Sequence, residues 1–373
     1  MQREKSYYYM YLQPLHTKLH FELNDIWIEL IPLYFNLFLY KAMIQLLNKS
    51  KHGYKLLCVI LLLLLFLILL VSINAGFIKI PLSEVWSAFF GNDIGNQRLI
   101  LFNFRLPRIV LAILIGAGIA VSGAIMQSIS RNELADPGIL GINAGASFSV
   151  VLYMFIFHGS SFLTGILSIF LMPFTALLGA LIAAALIYGF SRKRGRVTPI
   201  RLILVGIGIN AAFASSTMAL QMKMEPQDFM KTLTWISGSI WGTNWSFVIS
   251  TLLWLIILIP IAVYKSRFLD ILSFGDEVSI GLGVSIEKER LKLLLIGVAL
   301  AGACVSVGGG ITFLGLIAPH ISRALIGPNH KKVLPLSALL GSLILLGADT
   351  VGRIVMSPTE MPVGILVSIL GAP

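Results

Sequence analysis

From Ile109 to Ile129 the chain runs about twenty-one residues without a charge. A helix over that stretch, rising 1.5 Å per residue, spans the roughly 30 Å of a bilayer core. Arg105 and Arg108 stand before it and a polar turn, Asn132 to Gly141, follows it. The stretch reads as a membrane crossing. Along it Ala112, Gly116, Ala120 and Ala124 recur every fourth residue, so one face is a strip of small side chains that lets a neighbouring backbone come close. Such a face predicts packing against protein, since a lone anchor needs only bulk toward lipid.

The pattern repeats. Runs uncharged save for Arg323 cover 56–75, 109–129, 139–157, 162–190, 202–220, 246–264, 293–309, 311–326, 333–348 and 361–373. Only 12% of the 373 residues are charged, about half the share of a soluble domain, so the expected fold is an all-α polytopic membrane protein with about ten transmembrane helices. Leu56 to Ala75 follows Lys49, Lys51 and Lys55. Its apolar core exceeds the roughly 7–15 residues of a signal peptide, which makes it the first helix, with its N-terminal side in the cytoplasm. Alternate threading from that start puts 21 Lys and Arg on the cytoplasmic side and 7 on the other. The positive-inside rule favours this threading, with both termini cytoplasmic. Without the tail the ratio is still 14 to 7.

Residues 1–55 read as a separate tail, an interfacial helix over 26–40 or a leader, with Met43 as an alternative start. His16 and His20 have the i, i+4 spacing of a helical metal pair, but two solvated histidines are the simpler expectation. At the other end the last run stops at Gly371-Ala372-Pro373, so the expectation is a short final helix or a clipped chain. Leu114-Ile115-Gly116-Ala117 and Leu295-Ile296-Gly297-Val298 match weakly, an inverted repeat if real. Cys58 and Cys304 lie in apolar runs and frame no disulfide. The net charge of +11 is spread over short loops, which speaks against nucleic-acid binding.

The chain contains no G-x-x-x-x-G-K-[ST] and no Gly-Lys pair, so it does not hydrolyse ATP through a P-loop. Within the runs, His320 is the one ionisable side chain far from a boundary. Ion-coupled carriers need intramembrane acids, lysines or histidines, so a secondary transporter is the disfavoured alternative. His320 beside Pro319 is expected to bond a backbone carbonyl that the proline frees. If the chain moves something, the energy must come from a partner, and the longest cytoplasmic loop, 265–292, is where a partner would push. There Leu269, Leu272, Val278 and Leu282 can form an apolar stripe, with Asp276 and Glu277 on its polar side and breaks at Gly275, Gly281 and Gly283. On the outer side Arg105 and Arg108 share a helix face, and Arg353 lies near Asp349. They either snorkel to headgroups or receive carboxylates of an extracytoplasmic protein.

The motifs together resemble the iron-siderophore/cobalamin permease family of bacterial ABC importers. They are Arg105-Leu-Pro-Arg108, Asn132-Glu-Leu-Ala-Asp136-Pro137-Gly-Ile-Leu-Gly141, Trp235-Ile-Ser-Gly238-Ser239, and Gly275-x-x-x-Ser279-x-x-Leu282-Gly283. Further on come Gly310-Ile-Thr-Phe313-Leu-Gly315-Leu-Ile-Ala-Pro319-His320-Ile-Ser-Arg323, Gly347-Ala-Asp349-x-x-x-Arg353, and Glu360-Met-Pro362-Val-Gly364 to Pro373. The resemblance covers Lys55 to Pro373. It implies a permease in a bacterial cell membrane, paired with a second permease subunit, two ATPase subunits and an extracytoplasmic binding protein, and no cofactor. The cargo it implies is a ferric siderophore, with cobalamin or haem as alternatives. Carried over, Arg105, Arg108 and Arg353 match the docking arginines. The ATPase coupling residues are Leu272, Gly275, Asp276, Glu277, Ser279, Leu282 and Gly283, and Gly206, Asn210 and Ala214 would line the path. Glu133 stands where the family has proline and Ser279 where it has alanine.

Overall fold

A computed structural model describes residues 53–75, 96–157, 166–193, 196–356 and 361–371. The expectations for the tail, His16 and His20 included, lie outside these residues. Each of the ten uncharged runs holds a helix: α1 (Gly53–Asn74), α2 (Leu106–Ser130), α3 (Ile142–Ile156), α4 (Ile166–Ser191), α5 (Pro199–Gln221) and, after α6 (Pro226–Ile236), α7 (Trp245–Tyr264). Two short helices, α8 (Ser266–Ser273) and α9 (Asp276–Gly281), precede α10 (Ile286–Gly308), α11 (Leu314–Ile326), α12 (His330–Val355) and α13 (Val363–Gly371). The chain is an all-α polytopic membrane protein; its one sheet among the described residues is the two-residue ladder of β1 (Arg192–Lys193) and β2 (Arg196–Val197). Among the described residues, seven helices are long and apolar enough to cross a membrane.

The stretch before α2 continues it backwards as a π-helical turn over Ile100–Arg105. Together they form the axis of the bundle. The most apolar window of Ile100–Ser130 is 78% buried, against 22% for α1, because α2 packs on α7, α10, α11 and α12 at once. A helix apolar all round belongs in such a centre. Its small-residue strip is what allows this: Ala112, Ala120 and Ala124 are fully buried, and a Cβ on Gly116 would lie 2.4 Å from the carbonyl oxygen of Gly341 on α12. Gly116→Ala is therefore expected to cost about 1–3 kcal/mol, the range for overpacking, visible as a lower melting temperature in detergent. An unchanged melting point would mean that the two backbones part freely.

α3 and α11 have 15 and 13 residues, about 22 and 20 Å, and cannot cross a bilayer core alone. Both start deep in the protein. Gly141, just before α3, meets Gly206 and Asn210 in the middle of α5, and Gly315, in the first turn of α11, meets Gly123 of α2. Irregular backbone at that depth persists only where protein encloses it. Asp136 ties the two starts together: its Oδ1 accepts the Gly138 N–H at 2.7 Å, and a Cβ at Gly315 would touch its Oδ2 at 2.6 Å.

Two boundaries differ from the sequence reading. α12 extends past the charge-free run 333–348 to include His330 and, at its far end, Asp349 and Arg353; α10 starts at Ile286 and includes Glu289 and Arg290. These charges sit in helix because each has a partner: Glu289 holds Lys265 and Lys292 at 2.5 and 2.9 Å, and the others are described below. His320, expected against a freed carbonyl, is instead 61% exposed with its Nδ1 3.5 Å from Glu133.

Candidate functional site

The loop between α7 and α10 is pinned from behind. Leu269 and Leu272 of α8 are buried. Gly275, at φ +110°, turns the chain into α9 through a conformation that a side chain would resist. Asp276 then accepts a hydrogen bond from Arg290 of α10 at 2.9 Å and one from Arg131, which ends α2. The Arg131 Nε also donates to Leu272 O at 2.9 Å. Ser279 is fully buried, its hydroxyl within 3.0 Å of Ile271 O and 2.6 Å of Gly275 O. Gly283, at φ +75°, closes the turn. Buried Arg290 reaches further back, to Glu287 at 3.1 Å and to the Val197 carbonyl of the β-ladder.

The expected single stripe therefore divides. Leu269 and Leu272 face the bundle, whereas Val278 and Leu282 face away with Phe274 and Ile280, each of the four at least half exposed. Asp276 is an internal fastener, and Glu277 is exposed. A rigidly held apolar knob results, with nothing from the described residues covering it.

At the opposite end of α2 the three arginines meet. Asp349 of α12 lies 2.8 Å from Arg108 and 3.0 Å from the Nε of Arg353. Arg353 also donates to the carbonyls of Ser72 and Ala75 at 3.2 and 3.1 Å, and Arg105 donates to the Ile73 carbonyl. The last carbonyls of α1 carry its negative dipole end, where a cation is favourable. Arg105 and Arg353 are thus buried under 10% exposure, more deeply than an open pad requires. Arg108 and Arg353 thus share the Asp349 carboxylate.

Of the path candidates, Gly206 lets the Leu140 carbonyl approach, 3.0 Å from where its Cβ would be. Asn210 and Ala214 lie one and two turns on and line a cavity of about 400 Å³, with Asn143, Ser147, Thr217, Gln221 and Thr312 among its other walls. That wall is uncharged and sets these polar groups among apolar ones such as Ile139, Ile236 and Phe313. A cavity of about 530 Å³ between α4, α7 and α10 is lined almost wholly by apolar groups; its hydroxyls at Ser250, Thr251 and Ser306 bond their own helices, so it offers a ligand no polar handle.

Sequence reasoning missed α6, although Thr232 and Trp235, its two buried residues, stand at helical spacing and were legible as an amphipathic face. It also missed Asp349 as the shared anion, for which the i, i+4 spacing to Arg353 was a visible signal.

The FecCD transport family matches residues 62–373. The chain belongs to the FecCD family. The iron(3+)-hydroxamate import system permease protein FhuG of Bacillus subtilis is 53% identical over 303 residues, 81% of this chain and 90% of that protein. The Fe(3+) dicitrate transport system permease protein FecD of Escherichia coli is 37% identical over 306 residues, 82% and 92% of the two chains. Among solved structures, a transporter described as of the metal-chelate ABC type, in an inward-facing conformation, superposes with a TM-score of 0.73 at 30% identity, over 84% of this chain and 95% of that one. This FecCD-family chain has the family's bundle with the knob at one end of α2 and the arginines at the other.

Proposed function

We propose that this FecCD-family chain is the permease subunit of an ABC importer for an iron chelate, with a ferric siderophore as cargo. The apolar knob carries the reading. Phe274, Val278, Ile280 and Leu282 stand exposed on a loop whose other side is locked to α2 and α10, the form required of a part that receives force from another protein. Separate ATPase subunits, two in number, would seat on it, since the sequence has no P-loop of its own. The lysine and arginine asymmetry supports a cytoplasmic position for this face and an outer position for the arginines. There Arg105, Arg108 and Arg353 would receive carboxylates of an extracytoplasmic binding protein. Electrostatic attraction of this kind weakens with salt. Association of the binding protein with the purified complex is expected to fall steeply between low and physiological ionic strength, followed by surface plasmon resonance; salt-independent binding would remove the arginines from the interface.

The cavity beside Asn210 and Ala214 would be part of the path between this chain and a second permease subunit, same or homologous. Its neutral wall suits a cargo that arrives already chelated, with the metal's charge enclosed. Haem is a second reading, because the hemin transport system permease protein HmuU of Yersinia pestis is 36% identical over 318 residues. Uptake of radiolabelled ferric hydroxamate, ferric citrate and haem by cells lacking the gene, with and without the gene restored, tests both. Restored hydroxamate uptake that is lost on ATP depletion and kept when the proton gradient is collapsed is the expected result. The reverse pattern would make the chain an ion-coupled secondary transporter.

A further inference from the structure

A buried polar junction lies behind the knob and has no part in the reading above. Asp270, on α8, reaches the first residue of α12: its Oδ1 accepts the His330 backbone N–H at 3.0 Å and lies 2.6 Å from the ring Nδ1. The other ring nitrogen, Nε2, is 2.5 Å from Ser128 Oγ in the last turn of α2. Ser128 Oγ is also 2.8 Å from the Ala124 carbonyl. His330 and Ser128 are both under 10% exposed. Three elements therefore meet at one imidazole: the loop helix, the axis of the bundle and the longest helix beside it.

The arrangement has the members of a nucleophilic triad without the means to act as one. The hydroxyl of Ser128 has a backbone carbonyl to bond, and neither described cavity opens on it. What the geometry does supply is direction. The side chains of Leu269 and Leu272 make apolar contacts, which have no preferred angle, while the Arg131 bond to the Leu272 carbonyl ties α8 to α2 and not to α12. Two hydrogen bonds converging on one carboxylate oxygen fix α8 to the start of α12. A carboxylate is also the group that a helix N-terminus holds best. The Asp270 carboxyl stays ionised there: burial pushes it up, but the ring and backbone hydrogen bonds of His330 and its charge outweigh that, holding it below the usual carboxylate range. The neighbouring lysines, Lys331 and Lys332, are exposed.

α12 is one continuous helix of 26 residues, about 39 Å long, and its far end carries Asp349 and Arg353. The same rigid element that Asp270 grips at one end thus holds the arginine cluster at the other. We propose that Asp270 and His330 form the joint through which movement of the coupling loop is passed to α12 and along it to the arginine end. Both are positioning residues, acting through the helix and not on cargo or nucleotide. The proposal rests on the reading of the knob as the seat of an ATPase.

The test uses the full complex of permease, ATPases and binding protein in proteoliposomes, measuring chelate taken up per ATP hydrolysed. Asp270→Ala and His330→Ala are expected to lower that ratio about fivefold or more, the lower end of ordinary coupling effects. The double variant is expected to be no worse than either single one, because they share one contact. Asp270→Asn keeps an oxygen acceptor in place and should stay within about twofold of wild type, well inside that coupling range. A wild-type ratio in Asp270→Ala, additive losses in the double variant, or an Asp270→Asn ratio as low as that of alanine would each overturn the joint. Should the alanine variants fail to assemble with the ATPases, Asp270→Asn decides alone: a ratio near wild type supports the joint and a collapsed one overturns it. Absence of ATP-driven uptake by the unsubstituted complex would overturn the importer reading itself, and the joint with it, before any substitution is made.

Discussion

Replacing Leu282 by aspartate is expected to abolish ATP-driven uptake while the protein remains folded in its membrane. Leu282 is 61% exposed and packs against little of its own chain, so its loss should cost folding no more than an ordinary surface change, about 0.5 kcal/mol. Against a partner the balance is different. Burying a leucine contributes about 1.5–3 kcal/mol, and an unpaired carboxylate in the same place adds a desolvation cost that no group on the knob can offset. A loss near 3 kcal/mol corresponds to roughly a hundredfold weaker association. Co-purification of the ATPases with tagged permease should therefore fail, and chelate uptake with it, while the detergent melting temperature stays where it was. Leu282→Asp protein that still co-purifies and transports would show that the force enters elsewhere.

That prediction could be only half written before the structure. Leu272 and Leu282 have the same side chain and belong to the same sequence stripe, yet one fills the bundle and the other faces away. The Gly275 turn divides them, and its direction is set by Asp276 binding Arg131 and Arg290, residues 145 and 14 positions away. Helices were legible wherever length and absence of charge coincide, because the bilayer imposes both. The same rule misplaces the ends of α10 and α12, since it treats every charge as a boundary while burial tolerates a charge that has its counter-ion. Asp270 and His330 are 60 residues apart, and nothing in local pattern connects them. The deep starts of α3 and α11 escape for a related reason: Asn132 to Gly141 reads as a turn and Gly310 as a break between two runs, but only the packing of Gly141 on α5 and Gly315 on α2 tells how far in they lie.

Asp349→Leu is expected to be the most damaging single change at the arginine end. Its side chain is fully buried and is the acidic partner, among the described residues, of both Arg108 and Arg353. Leucine matches its size roughly and removes the charge, which takes from two guanidiniums the carboxylate they share, while Arg353 keeps the Ser72 and Ala75 oxygens. Removing one partner of a buried pair typically costs about 3–5 kcal/mol, more than the pair itself contributes, because the stranded charge has lost its water without gaining a neighbour. That exceeds the cost expected for crowding Gly116, and the protein should be recovered poorly from the membrane. A cycle separates charge from shape. Asp349→Leu combined with Arg108→Leu should recover about half of the loss or more, since one stranded cation disappears, whereas two independent packing defects would add. If the double variant is the less stable by the sum of the two, the arginines are held by groups other than Asp349. Asp349 would then not be what fixes the distance between α2 and α12 at the end remote from the knob.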